Sequence, residues 1–303
     1  MPFIFKGGTS LLLLLNEPKR LSTDIDIIVK PNTDVEDYLN KAAKIFPFKT
    51  VEQQIRKGKN NIEKRHFKFI YDSPVNNREF YILLDILYEE NNYSKLIKRQ
   101  INTNFLLTQE PFIEVNIPSV DCILGDKLTA FAPHTTGIKF GEDKELEIIK
   151  QLYDIATLFD VCEKFDDIYK TYIATTKSEI SYRGLSILYK DILQDTIDAS
   201  ICIASRGQIF SEDYKFYLTG IRKIINHIYG ERYSAEKAVN HACKVMYLAA
   251  CLLKEIPFDK NLKKEEILQK SILNTKYKKL SYIKKVDIEA FSFLVKAIEL
   301  LEK

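Results

Sequence analysis

The hydrophobic pattern of the chain changes its period near Pro118, and this change constrains the fold more than any other feature. Before it, short apolar runs bounded by turn residues predict strands at 3–5, 24–30, 49–58, 64–73 and 79–89, with one helix over the leucines at 11–15 and another at 32–46. After it, apolar residues recur at helical spacing, which predicts helices at 119–132, 143–163, 165–178, 184–204, 212–229, 234–254 and 286–302. The sequence therefore predicts an α+β fold, with a mixed β-sheet domain over residues 1–118 and an all-helical domain over residues 119–303.

Composition narrows the class of protein without identifying it. The 303 residues are 46% hydrophobic, which is enough apolar side chain for about two domains. The net charge of +3 neither requires nor excludes a nucleic-acid partner.

The five cysteines include no CxxC pair, so we expect buried, reduced thiols. The longest leucine run is far shorter than the roughly 20 residues that span a bilayer, and no secretory signal is visible, so a cytoplasmic location is predicted.

Two aspartates, Asp24 and Asp26, begin the apolar run of the segment RLSTDIDIIVK. Side chains in a strand alternate between faces, so these two carboxylates lie on the same side, where like charges repel unless a positive group lies between them. In an ordinary protein such a pair is a turn residue beside a solvated one. Here Asp85 is a further acid within the apolar run YILLDILY, and a buried charge without a partner is unfavourable. A magnesium ion shared by the three carboxylates would supply that partner.

A glycine pair in the segment FKGGTSL precedes the aspartates. Backbone N–H groups at such a turn, where a helix begins, can bind phosphate. Thr9 or Ser10 is expected to cap that helix. The turn and its flanking residues are therefore predicted to bind a nucleotide: Lys6, Gly7, Gly8, Thr9, Ser10 and Arg20. Together with the acids they describe a site for a nucleoside triphosphate and two Mg²⁺ ions, one activating an attacking hydroxyl and the other neutralising the leaving pyrophosphate.

The order of these features resembles the nucleotidyltransferase superfamily: a Gly-Gly turn, a DxD strand and an acid on a later strand. The sequence is more similar still to the AbiEii/AbiGii toxin family. Five segments follow one another in the order of that family over about residues 1–160: FKGGTSL, RLSTDID, DKLTAF, HTTGI and IIKQLYDIATLFD. The resemblance implies a nucleotidyltransferase-like fold and an NTP-dependent transferase of the EC 2.7.7 type. It also implies a toxin of a toxin–antitoxin or phage-defence (abortive infection) system, with a cognate antitoxin as partner and tRNA acceptor ends as a target class.

The resemblance also assigns further site residues. The Ser-x-Asp of the family falls on Ser22 and Asp24, its motif lysine on Lys127 and its later aspartate on Asp154. It implies that the helical domain contributes Lys127 and Asp154 to the cleft, with Lys127 contacting phosphate and Asp154 orienting Lys127 or contacting the nucleotide. Many members carry an acid shortly before that aspartate, where this chain has Gln151. Many also carry residues ahead of the first strand, which here begins at Phe3.

The acceptor stays open at the level of the sequence. RNA, in particular a tRNA 3′ end, fits two basic stretches, Arg56 to Lys68 and Ser94 to Gln100, that could follow a polynucleotide backbone. Such stretches are also common as ordinary solvated surface. Transfer to a protein or a small molecule is the alternative reaction. Sequestration of nucleotide without transfer is the alternative from another class of function.

Overall fold

The computed structural model describes residues 1–54 and 63–303. They form two compact units, one of Met1–Ser119 with Tyr182–Gly184 and one of Val120–Ser181 with Leu185–Lys303. The predicted fold class is confirmed, since a mixed seven-stranded sheet is followed along the chain by helices.

The sheet of the first unit has the order β3-β4-β5-β2-β1-β7-β6. Its strands are β1 (Ile4–Lys6), β2 (Ile25–Val29), β3 (Phe48–Gln54), β4 (Lys64–Asp72), β5 (Glu79–Tyr88), β6 (Leu96–Gln100) and β7 (Glu114–Pro118). The pairs β2–β5 and β1–β7 are parallel, and the other neighbours are antiparallel. The apolar strand β5 is an interior strand, as its sequence predicts.

One face of this sheet carries the apolar core of the unit. Alternate residues of five strands meet there with Leu39 of helix α2 (Glu36–Ala42) and with Val35, which precedes it: Phe5, Ile27, Val29, Phe67, Phe69, Ile86, Tyr88, Val115 and Ile117, with Val51 of β3 packed at the margin. An ion pair of 2.5 Å between the Arg65 guanidinium and Glu36 joins β4 to α2. Because side chains alternate along a strand, the intervening residues point to the opposite face.

Helix α1 (Gly7–Leu14) follows β1 directly. The prediction that Thr9 or Ser10 caps it is wrong, because the helix already begins at Gly7 and Lys6 occupies the cap position, where its side chain makes no capping hydrogen bond. Both hydroxyls lie inside the helix and donate to backbone carbonyls instead, that of Ser10 to Gly7 at 2.9 Å and that of Thr9 to Asp24.

The second unit is helical. Its helices are α3 (Val120–Ala130), α4 (Glu145–Val161), α5 (Phe165–Arg183, whose last residues belong to the first unit), α6 (Tyr189–Ala204), α7 (Ser211–Ile224), α8 (Ala235–Lys254), α9 (Lys264–Gln269), α10 (Ile283–Val286) and α11 (Ile288–Leu301). The long helix α8 lies at the centre and packs on α4, α6 and α11. Ser234 and Asp287 cap α8 and α11 by accepting backbone N–H bonds, as residues of these types commonly do. In the described residues, no helix combines the length and the apolarity that crossing a bilayer requires.

All five cysteines are free and buried, which confirms the expectation from their spacing. Burial raises the pKa of the Cys162, Cys202 and Cys251 thiols to about 12, and it raises that of Cys243 as well. The thiolate is the reactive form of cysteine, so these side chains are poor nucleophiles at neutral pH.

We therefore expect the native protein to react with almost no Ellman's reagent at pH 7, whereas the protein in denaturant releases colour for all five thiols. The measurement is absorbance over time, with and without guanidinium. Rapid reaction of one or more thiols in the native protein would contradict the buried placement.

Candidate functional site

A single row of polar side chains crosses five strands of the sheet on the face opposite the core. The register pairs Lys6 with Asp26, Asp26 with Asp85, Asp85 with His66 and His66 with Gln54, in passing from β1 through β2, β5 and β4 to β3. Residues paired across neighbouring strands point to the same face, and neighbouring strands lie about 4.8 Å apart. The row therefore places two carboxylates side by side, with a basic side chain next to each.

The Asp85 carboxylate has a partner on the neighbouring strand, β4. His66 Nδ1 lies 2.7 Å from Asp85 Oδ1, and the two side chains are 15% and 31% exposed. The sequence predicts that Asp85 needs a partner and that a shared cation would supply it; the structure shows that His66 also contacts this carboxylate. His66 Nδ1 engages one of the two carboxylate oxygens. The alternation of Lys64, His66 and Lys68 with the apolar residues of β4 indicates a polar face on this strand, but it does not pair His66 with Asp85.

The glycine turn is pressed against the first carboxylate. Gly7 has φ +75°, and a Cβ built on it would lie 1.9 Å from Asp26 Oδ2. A Cβ on Gly8 would lie 2.4 Å from Arg20 Nη2 and 2.8 Å from Ser22 Oγ. Glycine is the residue that allows both the positive φ and this closeness. The structure therefore brings the turn, Arg20, Ser22 and Asp26 together.

The remaining residues around the turn support its shape. The Thr9 hydroxyl donates to the carbonyl of Asp24, which fixes the loop before β2 to the start of α1. Ser10 is fully buried, so its hydroxyl serves the turn. Arg20 is 7% exposed, and its Nη1 donates to the carbonyl of Leu21 at 3.1 Å. The Lys6 ammonium lies 5.7 Å from the centre of the Tyr93 ring.

The carboxylates suit a hard divalent cation, although no three His, Cys, Asp or Glu side chains of the described residues are grouped closely enough to hold one ion. Magnesium keeps several of its waters and is bound by one or two carboxylates together with substrate phosphates, so it does not require a preformed cage of protein ligands. Asp26 and Asp85, paired in register, provide that number of carboxylates, and Asp24 precedes Asp26 by two residues. The donor set fits magnesium that arrives with a triphosphate.

Lys127 and Asp154 meet within the second unit. The Lys127 ammonium lies 2.8 Å from Asp154 Oδ2, and both side chains are buried, at 8% and 1% exposed. Gln151, which stands where many family members carry an acid, accepts a further bond of 3.3 Å from Lys127. Lys127 of α3 is thus held by two side chains of α4. Its role at the phosphates stays a prediction from the resemblance.

The two basic stretches differ in what the structure describes. Most of the first stretch, residues 56–62, lies outside the described residues. Lys64 and Lys68 lie on β4, on the same face as His66. The second stretch largely forms the edge strand β6, with exposed Lys98 and Arg99. The sequence did not predict β6 or β7 as strands.

Comparison with known proteins is consistent with this geometry. The family described as "Nucleotidyl transferase AbiEii toxin, Type IV TA system" matches residues 1–234, which is more than half of the chain. Among solved structures, a candidate nucleotidyltransferase from H. pylori is 16% identical, with a TM-score of 0.47, over 84% of this chain and 88% of its own. JHP933 from Helicobacter pylori is 15% identical, with a TM-score of 0.45, over 89% and 90%. These two likenesses are too distant to support an argument about function. No curated protein matches the chain in sequence.

The contact between Gly7 and Asp26 yields a direct test. Gly7→Ala forces the Asp26 carboxylate to move, so we expect nucleotide transfer to fall by roughly 100-fold, as when a preorganised charged group is displaced. Gly141→Ala is the matched control, because Gly141 has φ +77° but open space around its Cβ position. Both variants share the backbone strain of about 1 kcal/mol or more. Transfer is measured with labelled nucleotide, and equal losses in the two variants would show that Asp26 does not depend on the turn.

Proposed function

We propose that this chain, which belongs to the AbiEii nucleotidyltransferase toxin family, transfers a nucleotide from a nucleoside triphosphate to the 3′ end of an RNA, in particular a tRNA. The observation that supports this most is the row across the sheet, in which Asp26 and Asp85 stand side by side while Gly7 touches Asp26. A phosphate-binding turn beside two adjacent carboxylates suits phosphoryl transfer to a hydroxyl.

The residues of the first unit divide the work of the reaction. The acceptor hydroxyl attacks the α-phosphorus, a P–O bond forms to it, and the bond to the β-phosphate breaks and releases pyrophosphate. Asp85 receives the proton of the hydroxyl on the carboxylate oxygen that His66 leaves open. The uncapped N–H groups at the start of α1 and the Arg20 guanidinium bind the phosphates. Magnesium that arrives with the triphosphate would be held by Asp26 and Asp85, with Asp24 nearby, and would supply positive charge at the reacting phosphate.

Basic side chains around the carboxylates explain how the site can hold a highly charged substrate. The triphosphate and the three carboxylates repel each other, and this repulsion is offset by Lys6 at one end of the row and by Arg20 beside the turn. The family is a toxin–antitoxin family, so a cognate antitoxin is the implied protein partner. We propose that it neutralises the growth inhibition that transfer causes.

The test is transfer of label from an α-labelled nucleoside triphosphate to total RNA and to total protein in the presence of magnesium. We expect label in RNA of tRNA size, and we expect Asp26→Asn to lower it by roughly 100-fold or more. Asp72→Asn is the matched control, because Asp72 is an exposed aspartate at the end of β4, paired with Lys49. Asp26→Asn is more informative than Lys127→Ala, which would remove one side of the buried ion pair between Lys127 and Asp154 and would weaken the fold itself.

Each alternative has its own signature in the same experiment. Label in protein or in small molecules, with none in RNA, would show that nucleotide transfer takes place but that RNA is not the acceptor. Growth inhibition by the Asp26→Asn variant at the level of the wild type, without label in any fraction, would favour sequestration of nucleotide and would contradict the proposed transfer.

A further inference from the structure

One side of the row of polar side chains suits the nucleoside triphosphate, and the other side suits the acceptor of the nucleotide. The glycine turn and Lys6 belong to β1 and α1, at one side of the two carboxylates, and His66 and β4 lie at the other. In an in-line displacement the attacking and leaving oxygens stand on opposite sides of the phosphorus. If the phosphates rest on the glycine turn, the attacking hydroxyl approaches from the side of Asp85 and β4.

On that side an exposed aromatic ring lies on the same face as Asp85. Tyr81, Leu83 and Asp85 alternate along β5 without a shift in register, so their side chains share one face. Tyr81 is 50% exposed and stands four residues, or about 13 Å, from Asp85 along the strand. The Lys68 ammonium of β4 lies 4.2 Å from the centre of its ring. An open ring beside a lysine is the arrangement with which proteins bind single-stranded nucleic acid.

The charge around this ring indicates how a ligand would be held. Lys64 and Lys68 flank His66 on β4, but Glu52 of β3 is the register partner of Lys68. The surface is therefore only weakly positive, and phosphate contacts alone would bind a duplex poorly. Stacking of a base is independent of this charge balance, so the ring contributes the larger share of binding.

We propose that Tyr81 is a stacking platform for a base near the 3′ end of the acceptor, with Lys68 contacting the adjoining phosphate and the terminal hydroxyl directed to Asp85. The ligand class is a single-stranded RNA end with a free 3′ hydroxyl. This inference rests on the proposed function and adds to it the residues that select a single-stranded acceptor.

A neighbouring residue provides the control. Phe80 is as exposed as Tyr81, at 48%, but as the preceding residue of β5 it points to the opposite face. The two alanine variants thus remove similar rings from similar environments, and they differ in the face from which the ring is lost. The probe is a short, fluorescent, single-stranded oligoribonucleotide, with binding to the full chain measured by anisotropy.

We expect Tyr81→Ala to weaken binding of the oligoribonucleotide by about ten-fold or more, and to raise the KM for RNA without raising that for the nucleoside triphosphate. Phe80→Ala should bind as the wild type does, and Tyr81→Phe, which keeps the ring, should recover most of the binding that Tyr81→Ala loses. Equal binding by the two alanine variants would overturn the inference, as would a rise in the KM for the nucleoside triphosphate alone.

Failure of the proposed function looks different. If the wild type transfers no label to RNA, the proposed acceptor is wrong and the role of Tyr81 falls with it. If the wild type labels RNA and Tyr81→Ala binds the oligoribonucleotide as Phe80→Ala does, transfer to RNA stands and the stacking platform is wrong.

Discussion

The parallel pairing of β2 with β5 is the contact on which the rest of the site depends. Its register places Asp26 directly beside Asp85, on the face that the apolar core leaves open. A slip of one residue would turn Asp85 toward the core and Ile86 toward solvent. The burial of Ile27, Val29, Ile86 and Tyr88 on the other face therefore holds the two carboxylates in place, because the core could not form in the slipped register. Core packing and site geometry are thus one constraint.

Two further contacts shape the surroundings of this carboxylate pair. Gly7 allows the glycine turn to lie against the Asp26 carboxylate, which a larger residue would prevent. His66 binds one oxygen of Asp85 and so fixes the orientation of the other. In the second unit, Asp154 and Gln151 both contact the buried ammonium group of Lys127 and fix its position.

Much of the fold could be predicted from the sequence, for physical reasons that are visible in particular segments. The change to helical period after Pro118 and the apolar runs of β2 and β5 are strong local signals, and the elements form there. Strand β6 was missed because its sequence, LIKRQ, is charged and lies at an edge, where no face is fully buried. Strand β7 is short and ends in a proline. The cap of α1 was misplaced because Gly7 itself begins the helix, which no propensity argument favours.

The site was predictable in its residue types and less so in its contacts. The DxD spacing and the lone acid of β5 identify the carboxylates, but only the register shows that Asp26 and Asp85 are neighbours. The partnership of His66 with Asp85 joins residues 19 positions apart through an antiparallel pair, and nothing in the local sequence of either strand specifies it. The most direct test of the account is a titration of Mn²⁺ by electron paramagnetic resonance, in the presence of a non-hydrolysable nucleoside triphosphate. The account predicts that Asp26→Asn and Asp85→Asn each weaken Mn²⁺ binding by about ten-fold or more while Asp72→Asn binds as the wild type does, whereas equal affinity in all four proteins would contradict it.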